Sequence, residues 1–304
     1  MFNRRVVLTG VAASLAVTAA IPALAQDWKA KYPEIVFAVI PAENASGVSE
    51  RYAPFVAYLS NELGTKVTLR IANDYAALIE GQRAGNIHIG MYGPASFARA
   101  LLTGVKTEAF AIEVNGDGTK GYHSVFYVKK DSPYQKVDDL KGKNLGLVDP
   151  NSTSGNNVPR YALNQMGIDP EQFFAKVIYT GSHENAITAL SQGTVDVAAN
   201  WWNDETESNL LRMARKGMAK AEDFRIIYKS DLIVNSPMAY LSDLPADLKA
   251  AIRDAVLNIA TKEKAAFDRI YEGKGRPLEA VDNKAYEPVI KLIRFVDDLK
   301  KKSS

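Results

Sequence analysis

From residue 34 onward the chain alternates β-rich runs with amphipathic helical runs, and that alternation confines it to an α/β fold built mainly on parallel sheet. Glu34 to Ile40 is β-rich and bounded by Pro33 and Pro41. Tyr52 to Leu63 then places Phe55, Val56, Leu59 and Leu63 on one helical face and stops at Gly64. Val67 to Ile71 predicts a second strand, Tyr75 to Arg83 a helix, Ile87 to Met91 a buried strand and Pro94 to Leu102 another helix. A second series opens at Tyr122 to Val128, after the polar loop Asn115 to Lys120. Its further strands are expected at Leu145 to Val148, Val177 to Tyr179 and Val195 to Ala198, with helices near Val158 to Met166 and Glu184 to Gln192. Phe224 to Tyr228 and Pro237 to Leu241 read as strands around a return crossing, and Asp247 to Ile270 and Tyr286 to Leu299 as amphipathic helices.

Two such series joined by two crossings predict two lobes, each a mainly parallel sheet flanked by helices, with a ligand cleft between them. Residues 26–121 and 236–304 are expected to form one lobe and residues 122–235 the other. Ligands of open α/β sheets bind beyond the carboxyl ends of the strands, so the strand-to-helix loops are where chemistry is sought.

The first residues place Arg4 and Arg5 before an apolar stretch, Val6 to Leu24, that closes on Ala23-Leu24-Ala25 ahead of Gln26. Residues 1–25 therefore read as a signal peptide, by the general route or, given the paired arginines, by a twin-arginine route. No later apolar run approaches about 18 residues, so stable membrane insertion is not expected. With no cysteine, disulfides, thiolate metal sites and a lipid-anchored cysteine are all excluded. Removing residues 1–25 takes away two arginines and no acid, leaving 35 basic against 35 acidic side chains. That balance argues against nucleic acid or an anionic membrane as partner. The expectation is a monomeric protein exported to a Gram-negative periplasm.

Chemistry concentrates in Asp149-Pro150-Asn151-Ser152-Thr153-Ser154-Gly155, which follows a strand and precedes a helix. Ser152, Thr153 and Ser154 there supply three hydroxyls beside helical N–H groups that lack internal partners, a setting suited to an anion. The competing reading is a Ser/Thr helix cap. Gly181-Ser182-His183-Glu184 opens another helix, where His183 could donate to the same anion. His88 reads as structural, and His123 stays open between the two roles. Tyr75, Tyr92, Tyr122 and the pair Trp201-Trp202 fall at strand ends or helix starts, where an aromatic offers an apolar wall and a donor. Three scattered histidines do not have metal-ligand spacing, no catalytic signature is present, and no cofactor is expected.

Together these segments resemble the substrate-binding protein of bacterial ABC phosphonate-uptake transporters, over most of the chain and most strongly from Asp74 to Asp204. The carriers are Asp74-Tyr75-Ala76-Ala77-Leu78-Ile79-Glu80-Gly81-Gln82-Arg83, Met91-Tyr92-Gly93, Gly121-Tyr122-His123-Ser124, Lys130-Asp131-Ser132-Pro133, the Asp149 to Gly155 string, and Gly181 to Glu184 followed by Val195-Asp196-Val197-Ala198. The resemblance implies a type II periplasmic binding fold, a phosphonate ligand and an ABC permease as partner. It assigns the phosphonate oxygens to Ser152, Thr153, Ser154 and His183, and the cleft tyrosines to Tyr75 and Tyr122. Two carboxylates that hold an ammonium in the family are missing: Asn203, with Asp204 beside it, stands at one position and Ser236 at the other. Asn203 is therefore expected in the site with Tyr92, Trp202 and Asp204 around it. Phosphate, phosphite or a sulfonate is the alternative ligand, and an exported transferase or hydrolase pairing His183 with Asp204 the alternative class.

Overall fold

The computed structural model describes residues 28–303 and arranges them as two β-sheets with helices packed on their faces. The signal peptide expected at residues 1–25 lies outside the described residues. The first sheet takes β1 (Glu34–Val39), β2 (Lys66–Ile71), β3 (Ile89–Met91) and β4 (Thr107–Val114). The chain then enters the second sheet with β5 (Gly121–Lys129), β6 (Asn144–Leu147), β7 (Lys176–Tyr179), β8 (Val197–Asp204), β9 (Glu207–Ser208), β10 (Phe224–Lys229) and β11 (Ile233–Val234). It returns to the first with β12 (Pro237–Leu241) and β13 (Arg276–Ala280).

The first sheet runs β13-β4-β12-β3-β1-β2, and the second runs β10-β5-β8-β6-β7 with β11 on β5 and β9 on β8. Only the β2-β1-β3 and β8-β6-β7 parts are parallel; every other pairing is antiparallel. Each sheet is thus mixed rather than mainly parallel. Helical crossovers link the parallel neighbours β1, β2 and β3 and likewise β6, β7 and β8, whereas the strands next to the crossings between sheets, β4, β5 and β12, pair antiparallel.

Strands β4, β9, β11 and β13 are not among those the sequence predicts, and three expected elements differ markedly in their limits. The helix expected from Tyr52 begins at Ala45, because Asn44 caps it by accepting from Gly47 N at 2.9 Å. The strand expected to end at Ala198 continues to Asp204, since Ser124 pairs with Trp201 and His123 with Trp202 across β5 and β8. Cross-strand hydrogen bonding extends a segment whose polar residues read as loop. The long tail helix is broken at Glu263 into Ala246–Lys262 and Lys264–Tyr271, which turns Ile270 and Tyr271 toward the cleft.

The crossings lie side by side. Asn235 N donates to Lys120 O at 3.0 Å, and Asn235 Nδ2 donates to Glu113 O and to Asn115 Oδ1. Apolar clusters sit on both faces of each sheet, and Tyr75, from a helix of the first sheet, packs in the second sheet's cluster with Val125 and Val148. The two halves are therefore in contact across the cleft.

Candidate functional site

Five helices start at the carboxyl ends of parallel strands and point their first turns at one cavity. They follow β1, β2, β3, β6 and β7, with Asn44, Asp74, Gly93, Ser152 and Ser182 as caps. Residues of all five starts line the cavity: Glu43 and Val48, Tyr75, Gly93, Ser152 to Ser154, and His183. Its volume is about 140 Å³. Unpaired N–H groups and aligned dipoles give such a junction a positive potential without a net positive protein.

At Ser152 the helix opens with a π-turn, Thr153–Asn157, before α-helix resumes at Val158. The wider turn, a feature common at functional sites, presents consecutive hydroxyls to one side. Ser152 Oγ accepts from Gly155 N at 3.1 Å, so the capping reading is correct for this residue and still leaves its proton for a ligand. Thr153 Oγ1 accepts from Ala95 N at 2.8 Å, joining the loop to a helix start of the opposite sheet. Gly93 eases that approach: a Cβ there would lie 3.3 Å from Thr153 Oγ1, so the loop would have to give by a few tenths of an ångström. The Tyr75 hydroxyl is buried beside Ser152 without a well-formed hydrogen bond, and burial raises its pKa despite that neighbour, so it remains a protonated donor.

His183 is buried and its protonation is fixed by its neighbours. Asn200 Nδ2 donates to His183 O at 2.9 Å and Trp201 N donates to Asn200 Oδ1 at 2.9 Å, which orients the amide. Asn200 Oδ1 then accepts from His183 Nδ1 at 3.1 Å, so the proton is on Nδ1 and Nε2 is the lone-pair nitrogen of the neutral ring. Burial lowers the ring's pKa to about 4, with the Asn200 contact and Glu43 acting weakly the other way.

Part of the remaining cavity wall is charged. Glu43 accepts from Arg51 at 2.7 Å, from Lys216 at 2.7 Å and from Arg212 at 3.4 Å. Burial opposes its ionisation, yet these three cations hold it down at about 2. Arg212 also binds Glu207, stacks on Trp201 at 4.9 Å and shares Glu207 with Arg215. Glu113, on β4, lines the same cavity beside Tyr271; burial raises its carboxyl to about 7 despite the pull of Arg212 and Arg51.

Of the residues singled out from sequence, Tyr75, Tyr92, Tyr122, Ser152, Thr153, Ser154, His183 and Asn203 are brought together here. Trp202 and Asp204 are not. Side chains alternate along β8, so Trp201 and Asn203 face the cavity while Trp202 lies under Lys229 at 4.6 Å and Asp204 caps a turn by accepting from Thr206 N. Asp204 is consequently no partner for His183, whose ring contacts Asn200. His88 and His123 serve structure: Val36 N donates to His88 Nδ1, and His123 Nδ1 contacts Ser230 O at 2.7 Å. Sequence reasoning missed Arg51, Arg212 and Glu113, single charges inside regular elements, and Glu43, in the loop after β1, none with a motif around it. No group of three potential metal ligands occurs among the described residues.

Two mixed sheets, two adjacent crossings and a donor-lined cavity at the strand ends between them define a type II periplasmic solute-binding protein. Among described residues no helix is long and apolar enough to cross a membrane. The family model for the ABC transporter, phosphonate, periplasmic substrate-binding protein matches residues 37–286, and the chain belongs to that family. The phosphonates-binding periplasmic protein of Escherichia coli (strain K12) is 33% identical over 240 residues, covering 77% of this chain and 69% of that protein. The phosphate-import protein PhnD of Mycolicibacterium smegmatis is 32% identical over 219 residues, covering 68% of this chain and 66% of that protein. A solved binding protein component of an ABC phosphonate transporter from Pseudomonas aeruginosa is similar with a TM-score of 0.78 at 28% identity, covering 87% of each chain.

Proposed function

We propose that the chain captures a phosphonate in the periplasm and delivers it, as a monomer, to the permease of an ABC importer. In this reading residues 1–25 direct export, residues 26–121 with 236–304 form one lobe and residues 122–235 the other, and closure around the crossings traps the ligand. Ser152, Thr153, Ser154, Tyr75 and Tyr122 hold the oxygens, and His183 Nε2 accepts from a protonated one. Five helix starts converging on one small cavity carry this reading, because such a junction stabilises a compact anion without a bound cation.

Phosphate is the second reading, favoured by the phosphate-import relative found at nearly the same identity. Against it stand the apolar wall residues Val39, Ile40 and Met91 and the Trp201 ring, which offer a substituent somewhere to sit. Calorimetric titration with methylphosphonate, ethylphosphonate, phosphate, phosphite and methanesulfonate separates the two. A phosphonate should bind most tightly, and Thr153→Ala should weaken it by about 1–3 kcal/mol, as expected for losing a buried donor to a charged group. Tight binding of phosphate with no phosphonate binding would overturn the substrate assignment.

A further inference from the structure

Glu113 sets the cavity apart from a simple oxyanion pocket. It sits on the crossing strand β4, in the same cavity as the hydroxyl loop. The other charges there have partners: Arg51 pairs with Glu43, and Arg212 with Glu43 and Glu207. Glu113 makes no salt bridge within 4.0 Å among the described residues. Beside it the buried Tyr271 hydroxyl has no well-formed hydrogen bond. Asn203 and Ser236 also line the cavity but are neutral, and Asn203 Nδ2 is already spent on Asn115 Oδ1 at 3.1 Å.

Resting on the phosphonate reading above, we propose that Glu113 determines substituent specificity: it accepts from a donor group on the ligand's organic arm, an ammonium in preference to a hydroxyl. The physical ground is charge accounting in an enclosed space. A desolvated carboxyl whose neighbouring guanidiniums are neutralised by other acids gains most from a cation that arrives with the ligand. Its raised pKa agrees: burial outweighs the opposing pull of Arg212, Arg51 and the Tyr271 hydroxyl, so the ionised carboxylate stays undercompensated. The carboxylates that Asn203 and Ser236 lack are thereby replaced from a different strand.

Three near-isosteric probes test this: 2-aminoethyl-, 2-hydroxyethyl- and ethylphosphonate, titrated at about pH 8 into the wild type and Glu113→Gln. The wild type should prefer the amino compound to the ethyl compound by roughly tenfold or more, with the hydroxyl between them, and E113Q should erase the ranking while still binding ethylphosphonate. Equal affinities in the wild type, or a ranking that survives in E113Q, would overturn the role of Glu113 and leave the phosphonate reading intact. Failure of all three probes would instead sink the phosphonate reading itself. Should E113Q not fold, the wild-type ranking at about pH 5.5 takes its place, because protonation mimics the amide. The charged or titratable groups that face Glu113 are Arg51, Arg212, Glu207, Tyr52, Tyr122, Tyr271 and Tyr286, with Glu43 and His183 in the same cavity; with Glu43 down at about 2 and His183 at about 4, Glu113 is the one shifted into this window. The ranking should shrink at the lower pH; a ranking unchanged by pH would refute the proposal.

Discussion

His183 and Glu113 titrate in opposite directions on folding. An unfolded histidine takes its proton near 6.5 and the buried His183 only near 4, so the stability of its neutral form is complete above 6.5 and is lost as pH falls toward 4. Glu113 rises from 4.5 to about 7, so its contribution is complete below 4.5 and is lost as pH rises toward 7. The wild-type profile between these limits is a partial cancellation that variants should resolve. His183→Asn should remove an acid-side loss of about 3 kcal/mol at most, and E113Q should be the more stable protein above pH 7 by about 1–3 kcal/mol. Denaturant unfolding of the three proteins across that range measures both; parallel curves would show that neither group is shifted. The serine-threonine string and His183 were legible in sequence because each sits in a compact motif at a helix start. Glu113, Arg51 and Arg212 were not, because a lone charge in a strand or helix ordinarily reads as a solvated face.

At the scale of elements, most helix starts could be read locally and the π-turn could not. Caps such as Asp74 and Ser182 are short-range chemistry, and the helix Tyr75–Arg83 has the limits its sequence predicts. The turn Thr153–Asn157 depends on contacts from outside it. Val148 N donates to Gly155 O at 2.9 Å, and a Cβ on Gly155 would lie 2.4 Å from Val148 and 2.7 Å from Ser152 Oγ. Gly155→Ala should therefore push the hydroxyl loop off the end of β6, costing about 1–3 kcal/mol of stability and roughly tenfold or more in ligand affinity. Titration and unfolding of the same preparation check this. Wild-type affinity in the variant would mean that the loop's packing does not position its hydroxyls. Strand β8 shows the complementary case, in which pairing with β5 decided that Trp201 rather than Trp202 meets the cavity.

At the scale of the molecule, an ion network bridges the two sheets at the cleft. Glu43 from the first half meets Arg212 and Lys216 from the second, while Glu207 meets Lys274 at 3.5 Å and Arg215 meets Glu272 at 2.6 Å. Asn44 N also donates to Glu184 Oε2 at 2.7 Å. Removing Glu43 would leave Arg51 without its acid and strip one partner each from Arg212, which keeps Glu207, and Lys216, which keeps Glu184, a loss of about 3–5 kcal/mol at most for a buried partner. Glu43→Gln should accordingly open the unliganded protein, raising its radius of gyration in small-angle scattering and weakening ligand binding. Because Glu43 is held at about 2, the wild type should keep this bridge above pH 4.5 and lose it as pH falls toward 2. Superimposable scattering from E43Q and wild type would rule out the bridge as the closing force.

The sequence by itself determined the α/β alternation, the two crossings and the helix starts with their hydroxyls, because periodicity, capping and turn chemistry act over a few residues. Only the tertiary structure decided that the sheets are mixed, which tryptophan faces inward, and that charges from residues as far apart as 43 and 212 share one wall. Those outcomes depend on long-range pairing and on the field inside an enclosed cavity, neither of which leaves a local trace in the order of amino acids.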